Sequence, residues 1–368
     1  MYLGVFLGPL AEGPHQDSEL IDFCLDQALE AAASGFSLIT FGEQHFNNYE
    51  PYCNPFMMGS AIARHLKDAC FGATVIPVPL HQPFRLAEQM ALLDQLTKGQ
   101  CVFGVSAGQP VGSSEHKNFG IDPHARQEVF DANMALLLNA FAHQPGDGPI
   151  VMDTPWGKGA LDGRLMPSAW RRPHPFIALA TNTESRIAKA GADGWPIYMA
   201  PCSAEQAQQR VQVYRAALVN SGHSDSVIQS CLQKSAITRQ VFVAATDAQA
   251  WELVVAHTAG VTSLPGAEGS SPLTARDAQA AYQLNLNLLD VEHQPRLCQL
   301  QALQACIVAG SPETVINTLL DQHQALGITL LAKFTNGPMD ISSWQRSFRL
   351  FVDEVMPALN PQTYAKPN

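Results

Sequence analysis

The chain has 368 residues, 46% of them hydrophobic and 15% charged, with a formal net charge of −11. That composition excludes a disordered chain and can fill a large core, and the length suits either two domains or one barrel with insertions. With 33 acidic against 22 basic residues and no run of Lys or Arg, neither nucleic acid nor an anionic membrane is an expected partner.

The elements follow in chain order. Tyr2–Leu7 reads as a strand. Ser18–Ser34 reads as a helix, with Leu20, Ile21, Cys24, Leu25 and Leu29 at helical spacing and Gly35 to end it. Leu38–Phe41 is a strand, 54–66 a helix, and Gly72–Pro77 a strand. Pro83 opens a helix that runs to Leu96, and Cys101–Ser106 is the fourth strand. Strands recur about every 30–35 residues, the period of a βαβ unit in a parallel sheet. Ala125–Ala142 reads as a helix, Phe176–Ala180 as a strand and 185–190 as a helix. Ile197–Ala200 is a short strand, Ala204–Asn220 a helix and Ile237–Val243 a strand, with a helix from Asp247. Ile328–Lys333 is a late strand and Trp344–Met356 a closing helix. About eight such units predict an α/β fold: a single-domain (β/α)₈ TIM barrel over residues 1–368. Two stretches, Pro145–Pro173 and Gly260–Pro272, read as loop insertions over the C-terminal face of the barrel, where active sites lie.

No apolar run approaches the ~18 residues of a membrane span. Met1–Pro9 lacks a basic flank and is broken by Gly4, Gly8 and Pro9, so it reads as a buried strand, not an export signal. The eight cysteines form no C-x-x-C pair. They read as reduced, mostly buried thiols of a cytoplasmic protein.

Four places could carry chemistry. Gly104-Val105-Ser106-Ala107-Gly108 matches the nucleophile elbow of serine hydrolases, but no helix pattern follows the serine. A glycine-rich turn leaving a barrel strand is the preferred reading. Glu43-Gln44-His45 follows the second strand, and alternation puts Glu43 and His45 on one side and Gln44 on the other. Glu43 and His45 would serve chemistry there, or simply pair with each other in the barrel wall. Asp122-Pro123 is expected to cap a helix whose first turn holds Arg126. A cation there suits a bound phosphate, and an ordinary surface arginine fits as well. Thr181-Asn182-Thr183-Glu184-Ser185 opens another helix, either as a phosphate cradle or as a common capping box. The twelve histidines form no H-E-x-x-H, and no metal site is expected.

Taken in order, the motifs resemble the bacterial luciferase-like monooxygenases, flavin-dependent (β/α)₈ barrels. Glu43-Gln44-His45-Phe46 is similar to that family's Glu-His-His-Phe segment. Gly72 to Pro79 with His81-Gln82-Pro83-Phe84-Arg85 resembles its third-strand segment, and Ala87-Glu88, Leu92-Leu93-Asp94-Gln95 and Lys98-Gly99 resemble its most characteristic stretch. Phe119-Gly120 with Arg126, Gly310-Ser311-Pro312-Glu313 and Phe351 to Pro357 continue the likeness. Pro173-His174-Pro175 and Gly194-Trp195-Pro196 resemble the limonene-hydroxylase-like branch.

The resemblance implies a cytoplasmic two-component monooxygenase of secondary metabolism. Reduced FMN would come from a separate NAD(P)H flavin reductase and react with O₂ to a C4a-peroxide that oxygenates a hydrophobic or carrier-tethered organic substrate. A homodimer is also implied. Ala73, Thr74 and Val75 would lie against the flavin ring, with Ser106 near its reactive edge. Arg126, Thr181, Asn182 and Thr183 would hold the phosphate. Gln44, His45 and Ser106 are the implied catalytic positions. Gln44 stands where the family has its catalytic histidine, and an amide transfers no proton near neutrality. Ala107 stands where luciferase carries a phosphate-binding arginine. The same resemblance admits a deazaflavin-dependent oxidoreductase or a catalytically impaired flavin binder. The hydrolase built on Ser106 is the alternative outside it.

Overall fold

The computed structural model describes residues 1–108, 115–261, 306–335 and 340–359. Eleven strands occur among them: β1 Leu3–Phe6, β2 Leu38–Phe41, β3 Cys70–Pro77, β4 Cys101–Ser106, β5 Ile150–Thr154, β6 Gly157–Leu161, β7 Phe176–Ala180, β8 Ile197–Met199, β9 Ala236–Val243, β10 Ile307–Gly310 and β11 Thr329–Lys333. The helices are α1 Asp17–Ala33, α2 Pro55–Ile62, α3 Pro83–Leu96, α4 Glu115–Asn118, α5 Arg126–Ala142, α6 Glu184–Asp193, α7 Ala204–Asn220, α8 Asp225–Lys234, α9 Asp247–Val261, α10 Pro312–Leu326 and α11 Ile341–Leu350. A π-helical turn, Phe351–Val355, and a short helix, Met356–Leu359, close the described chain.

Eight strands form a closed ring in the order β1-β2-β3-β4-β7-β8-β9-β11, and every pairing in it is parallel. This is the expected (β/α)₈ barrel. β10 adds to the far half of β9, pairing Ile307 with Gln240 and Gly310 with Val243.

Strand alternation sorts the apolar residues into two cores. Leu3, Val5, Ile39, Phe41, Phe71 and Phe103 point outward into the layer between barrel and helices. Leu38, Val102, Ala178, Tyr198, Ala236 and Leu331 fill the interior. The interior is narrow, and glycines make room for its large side chains. A Cβ on Gly104 would lie 2.5 Å from the Tyr198 ring and 2.6 Å from the Ala73 carbonyl oxygen. So Gly104 of the G-x-S-x-G match is accounted for by packing.

Local signals explain most boundaries. Asn54 caps α2, its Oδ1 accepting from the amides of Phe56 and Met57. Gly194 and Gly327 end α6 and α10 in the left-handed conformation that costs a glycine little. Four expectations change. The helix expected over 54–66 stops at Ile62. Asp122 caps no helix: its Oδ1 accepts from the His124 amide in a turn, and α5 begins at Arg126. α8, β10 and α10 lie where the sequence pattern predicts no element. The 145–173 insertion contains an antiparallel hairpin, β5–β6.

Only part of that insertion sits at the barrel mouth. The hairpin reaches the loop after β3, where Trp156 Nε1 donates to the Pro79 carbonyl at 2.9 Å. Its far end packs at the opposite end of the barrel, with Arg171 donating to the Gly99 carbonyl and to Asp94. Of the second insertion, residues 262–272 lie outside the described residues. Among the described residues no helix is long and apolar enough to cross a membrane. Of the cysteines described, all are free; Cys53 is exposed and Cys70 half-buried, and the others are buried.

The close approach at Gly104 is testable. Gly104→Ala should lower stability by roughly 1–3 kcal/mol, because a strand carbonyl cannot move aside for the new methyl group. Urea unfolding reads this. An unchanged midpoint would mean that Tyr198 does not pack there.

Candidate active site

The C-terminal ends of the ring strands surround a cavity of about 430 Å³. Its apolar wall includes Phe6, Val75, Ala180, Met199, Ala236 and Leu331. Its polar wall includes Glu43, Gln44, Glu50, Thr74, Ser106, Glu115 and Lys333. Size and mixed lining are those of a small-molecule site.

The loop after β2 supplies the densest polar cluster. Glu43 is buried, and its Oε1 meets His45 Nε2 at 3.0 Å and His81 Nε2 at 2.6 Å. Burial alone would raise the Glu43 carboxyl. The charge of His81 and hydrogen bonds from both imidazoles outweigh that and hold it below the ordinary carboxylate value. Burial likewise pulls His45 down, but the hydrogen bond and charge of Glu43, helped by Glu115, raise it above an ordinary histidine. The His45 amide donates to Glu115 Oε1 at 2.9 Å, and its ring lies edge-on to Phe119. So His45 pairs with Glu43, as alternation suggests, but the loop is not extended throughout: Glu43 and Gln44 both line the cavity. Asn47 Nδ2 donates to Gln44 Oε1 at 3.3 Å and orients the amide.

β3 breaks its ladder at the cavity. Its register against β4 shifts between Ala73 and Ile76, and the Thr74–Val75 peptide bond is cis. A register shift of this kind re-aims the side chains beside it. Thr74 and Val75 line the cavity, whereas Ala73 is packed in the outer core. Ser106 ends β4 at the cavity wall, and its Oγ accepts from the Gly108 amide at 3.0 Å. Among the described residues no imidazole hydrogen-bonds this Oγ; His116 Nε2 is bonded to the Ala107 carbonyl oxygen at 2.9 Å instead. No helix begins at Ala107 or Gly108. A nucleophile elbow needs both features, and the described residues supply neither.

Thr181 is in the cavity wall, whereas Arg126 stands outside its lining, at the start of α5. Arg126 opens α5, half-buried, with Nη1 donating to the Pro123 carbonyl at 3.1 Å. Arg186 of α6 reaches Asp131, in the second turn of α5, at 3.4 Å. No side chain caps either helix. Thr181 Oγ1 accepts from the Thr183 amide at 3.1 Å, and Asn182 Nδ2 donates to the Ala200 carbonyl at 3.3 Å. The expected capping box does not form. Glu184 is drawn to α7, where Gln209 Nε2 donates to its carboxylate at 2.8 Å. The α6 N-terminus is thus open to an anion.

Sequence reasoning misses several cavity groups. Glu50, Lys333, Tyr198 and Gln240 line the cavity, and His81 bonds Glu43 behind it. Lys333 was legible, as a lone cation at the C-terminal end of an apolar barrel strand. Glu50 carried no local signal. Buried Thr74 Oγ1, Tyr198 Oη and Gln240 Oε1 have no hydrogen-bond partner among the described residues. Unpaired buried polar atoms are costly, so those of Thr74 and Gln240 at the cavity suit a polar ligand, whereas Tyr198 Oη lies deeper in the barrel, beside Gly72.

Comparison with known proteins gives a consistent picture. The family model for luciferase-like monooxygenases matches residues 1–330. The chain is 33% identical over 137 residues to limonene 1,2-monooxygenase of Rhodococcus erythropolis, covering 36% of this chain and 33% of the relative. It is 21% identical over 233 residues to an alkanal monooxygenase alpha chain of Photorhabdus luminescens, covering 63% of this chain and 62% of the relative. These matches therefore span between a third and three fifths of the relatives' length. Among solved structures, monooxygenase RslO1 of Streptomyces bottropensis is similar at a TM-score of 0.74 and 20% identity, over 98% of this chain and 100% of that one. The oxygenating constituent of 3,6-diketocamphane monooxygenase of Pseudomonas putida, solved in complex with FMN, is similar at 0.73 and 19%, over 97% and 98%. At these identities the structures attest the fold.

The Glu43 cluster makes a prediction about pH. His45 is held above its unfolded value, so the stability it contributes is full below the ordinary histidine value and fades as pH rises through the folded one. Glu43 is held low, so its contribution is full above the ordinary carboxylate value and is lost as pH falls through the folded one. Glu43→Gln should remove the anion and let His45 titrate at lower pH, read from its ring protons by NMR. An unmoved titration would separate His45 from Glu43.

Proposed function

The chain belongs to the luciferase-like monooxygenase family, and from that premise we propose that it is an FMN-dependent, two-component monooxygenase acting on a small organic substrate in the barrel-mouth cavity. The observation that carries this reading is the presence of Thr74 Oγ1 and Gln240 Oε1, buried and without a partner among the described residues, at a cavity whose wall is part apolar and part polar. A planar heterocycle with carbonyl and ring N–H groups at one edge would satisfy them, and the residues present fit FMN in that respect.

The binding roles divide between two places. Thr74 and Val75 would meet the flavin ring, with Ser106 on the same wall. Arg126 and the Thr181–Asn182–Thr183 turn would hold the phosphate at the N-termini of α5 and α6, where free amides and the helix dipoles favour an anion. Ala107, which has no charge to offer, leaves that work to them. Bound FMN, reduced by a separate NAD(P)H flavin reductase, would supply the activation of O₂. The chain's own work is to bind, orient and keep water out. Phe6, Val75, Met199 and Leu331 close the cavity with apolar surface, which suits a hydrophobic substrate, free or tethered to a carrier. Gln44 can donate and accept hydrogen bonds to orient a substrate oxygen, but it moves no proton. The reading carries with it a homodimer working in the cytoplasm.

Cofactor selection tests it. Losing a charge-assisted contact to phosphate costs roughly 1.5–3 kcal/mol. Arg126→Ala should therefore weaken FMN binding about tenfold or more and leave riboflavin binding nearly unchanged. Fluorescence titration with both flavins reads the difference. Equal losses for the two would remove the phosphate role, and a wild-type chain that binds neither would remove the reading.

A further inference from the structure

We propose that Glu50 stands in the cavity as a neutral carboxylic acid, the proton donor that the site lacks at position 44, with Lys333 placed to balance the charge when the proton leaves. The proposal deepens the monooxygenase reading and rests on it for the identity of the site.

The geometry begins with the backbone. Glu50 lies in the loop after β2 in the left-handed region, with φ 54°. A side chain there is strained and persists only where its surroundings hold it. The Glu50 amide donates to the Pro9 carbonyl at 2.8 Å, and its own carbonyl accepts from the Cys53 amide at 2.7 Å. Leu10 and Tyr49 form an antiparallel bridge just beside it. The residue is pinned from both sides.

The carboxyl then enters a niche that two glycines leave open. A Cβ on Gly8 would lie 2.9 Å from Glu50 Oε1, and a Cβ on Gly42 would collide with both carboxyl oxygens. Gly8 follows β1 and Gly42 follows β2, so the niche is a gap between adjacent strand ends at the barrel mouth. Glu50 is buried, it lines the cavity, and its Oε2 has no hydrogen-bond partner among the described residues. An ionised carboxylate is rarely left so bare, whereas a protonated acid has a hydrogen to offer a ligand.

The surrounding charges are mixed. Lys333, at the end of β11, lines the same cavity, with Nζ 5.1 Å from the Phe6 ring centre. It favours the carboxylate, and Glu50 in turn favours its ammonium, though burial holds Lys333 below the ordinary lysine value. Glu43 on the Glu50 loop and Glu115 on α4 oppose the carboxylate. The Cys24 thiol of α1 and the Tyr52 hydroxyl also face the group and are neutral, both pushed up chiefly by burial. Tyr52 cannot serve as its donor, because its hydroxyl donates to the Leu7 carbonyl at 2.7 Å. Burial, with the two carboxylates, outweighs Lys333 and pushes Glu50 up to about 8.

The proton step balances simply. The O–H bond of Glu50 breaks and an O–H bond forms on an oxygen of the bound substrate. The new carboxylate is left facing the Lys333 ammonium, and water restores the proton after release. Gln44, on the same cavity wall, holds the oxygen in place and gives up nothing.

Infrared difference spectroscopy tests this on the purified full chain. The stretch of a protonated carboxyl C=O should be present at neutral pH, fade with a midpoint near 8, and vanish in Glu50→Gln. Lys333→Met removes the balancing cation and should move the midpoint up by about one unit or more. Adding FMN should shift the band, because the carboxyl faces the ligand cavity. If Glu50→Gln does not fold, Glu50→Asp keeps the acid and should displace the band instead. A spectrum with no such band at neutral pH, a midpoint indifferent to Lys333→Met, or a bound-FMN spectrum with the band unmoved would each overturn the proposal. Failure of the wild-type chain to bind FMN would instead count against the monooxygenase reading, and the first two measurements would still judge Glu50.

Discussion

Closing eight parallel strands into a ring leaves an interior that must be filled, and the way this chain fills it sets where its chemistry can lie. A barrel of this size has room for layers of side chains and no more. Here Tyr198 supplies much of the bulk, and Gly104 opposite it carries no side chain because none would fit. The Tyr198 ring borders the cavity above, while its hydroxyl turns down into the plug, beside Gly72 of β3. The residue is thus both the top of the packed core and the floor of the site. Everything chemically interesting lies on the rim side of it, on strand ends and the loops that continue them.

That placement puts charge where water is scarce. Glu43, Glu50 and Glu115 line one small cavity with Lys333. In such surroundings like charges cannot all persist, and each carboxyl settles according to its partners. Glu43 has two imidazoles on one oxygen and stays ionised. Glu115 is raised by burial, eased by the His45 amide and opposed by Glu43. Glu50 has the cation but, among the described residues, no hydrogen bond to its buried Oε2, and it holds its proton longest. Three carboxyls of one type are thereby made into different groups by position alone.

Much of the barrel was legible because its signals are local. The strands at 38–41, 101–106 and 176–180 are continuous apolar runs, as strands buried on both faces must be, and their spacing announced a parallel sheet. Asn54 and Pro83 marked helix starts in plain sequence. β10 and α10 lie outside the predicted elements, although Ser311-Pro312 is a clear helix opening. The β5–β6 hairpin was hidden because its strands are mostly exposed and carry no apolar alternation. The site divided the same way. Glu43, Gln44 and Ser106 end strands or follow them directly, so a rule about barrel strand ends finds them. Glu50 enters through a left-handed loop residue and two glycines on separate strands, a relation between distant parts of the chain that no spacing expresses.

The departure at position 44 is then best understood together with its surroundings. A histidine there would share a cavity wall with Glu43, which already engages two imidazoles on one oxygen. Its protonation would be tied to theirs, and the cluster would titrate as a whole. An amide at 44 removes one member from that coupled set. It keeps hydrogen-bonding capacity at the wall, oriented by Asn47, without adding to the charge. The imidazoles remain behind the wall, where they keep Glu43 ionised, and a Glu43 charge in turn helps keep Glu50 neutral. Charge and proton are held on separate carboxyls of one loop, and the glycines at 8 and 42 are what allow the second of them to reach the cavity.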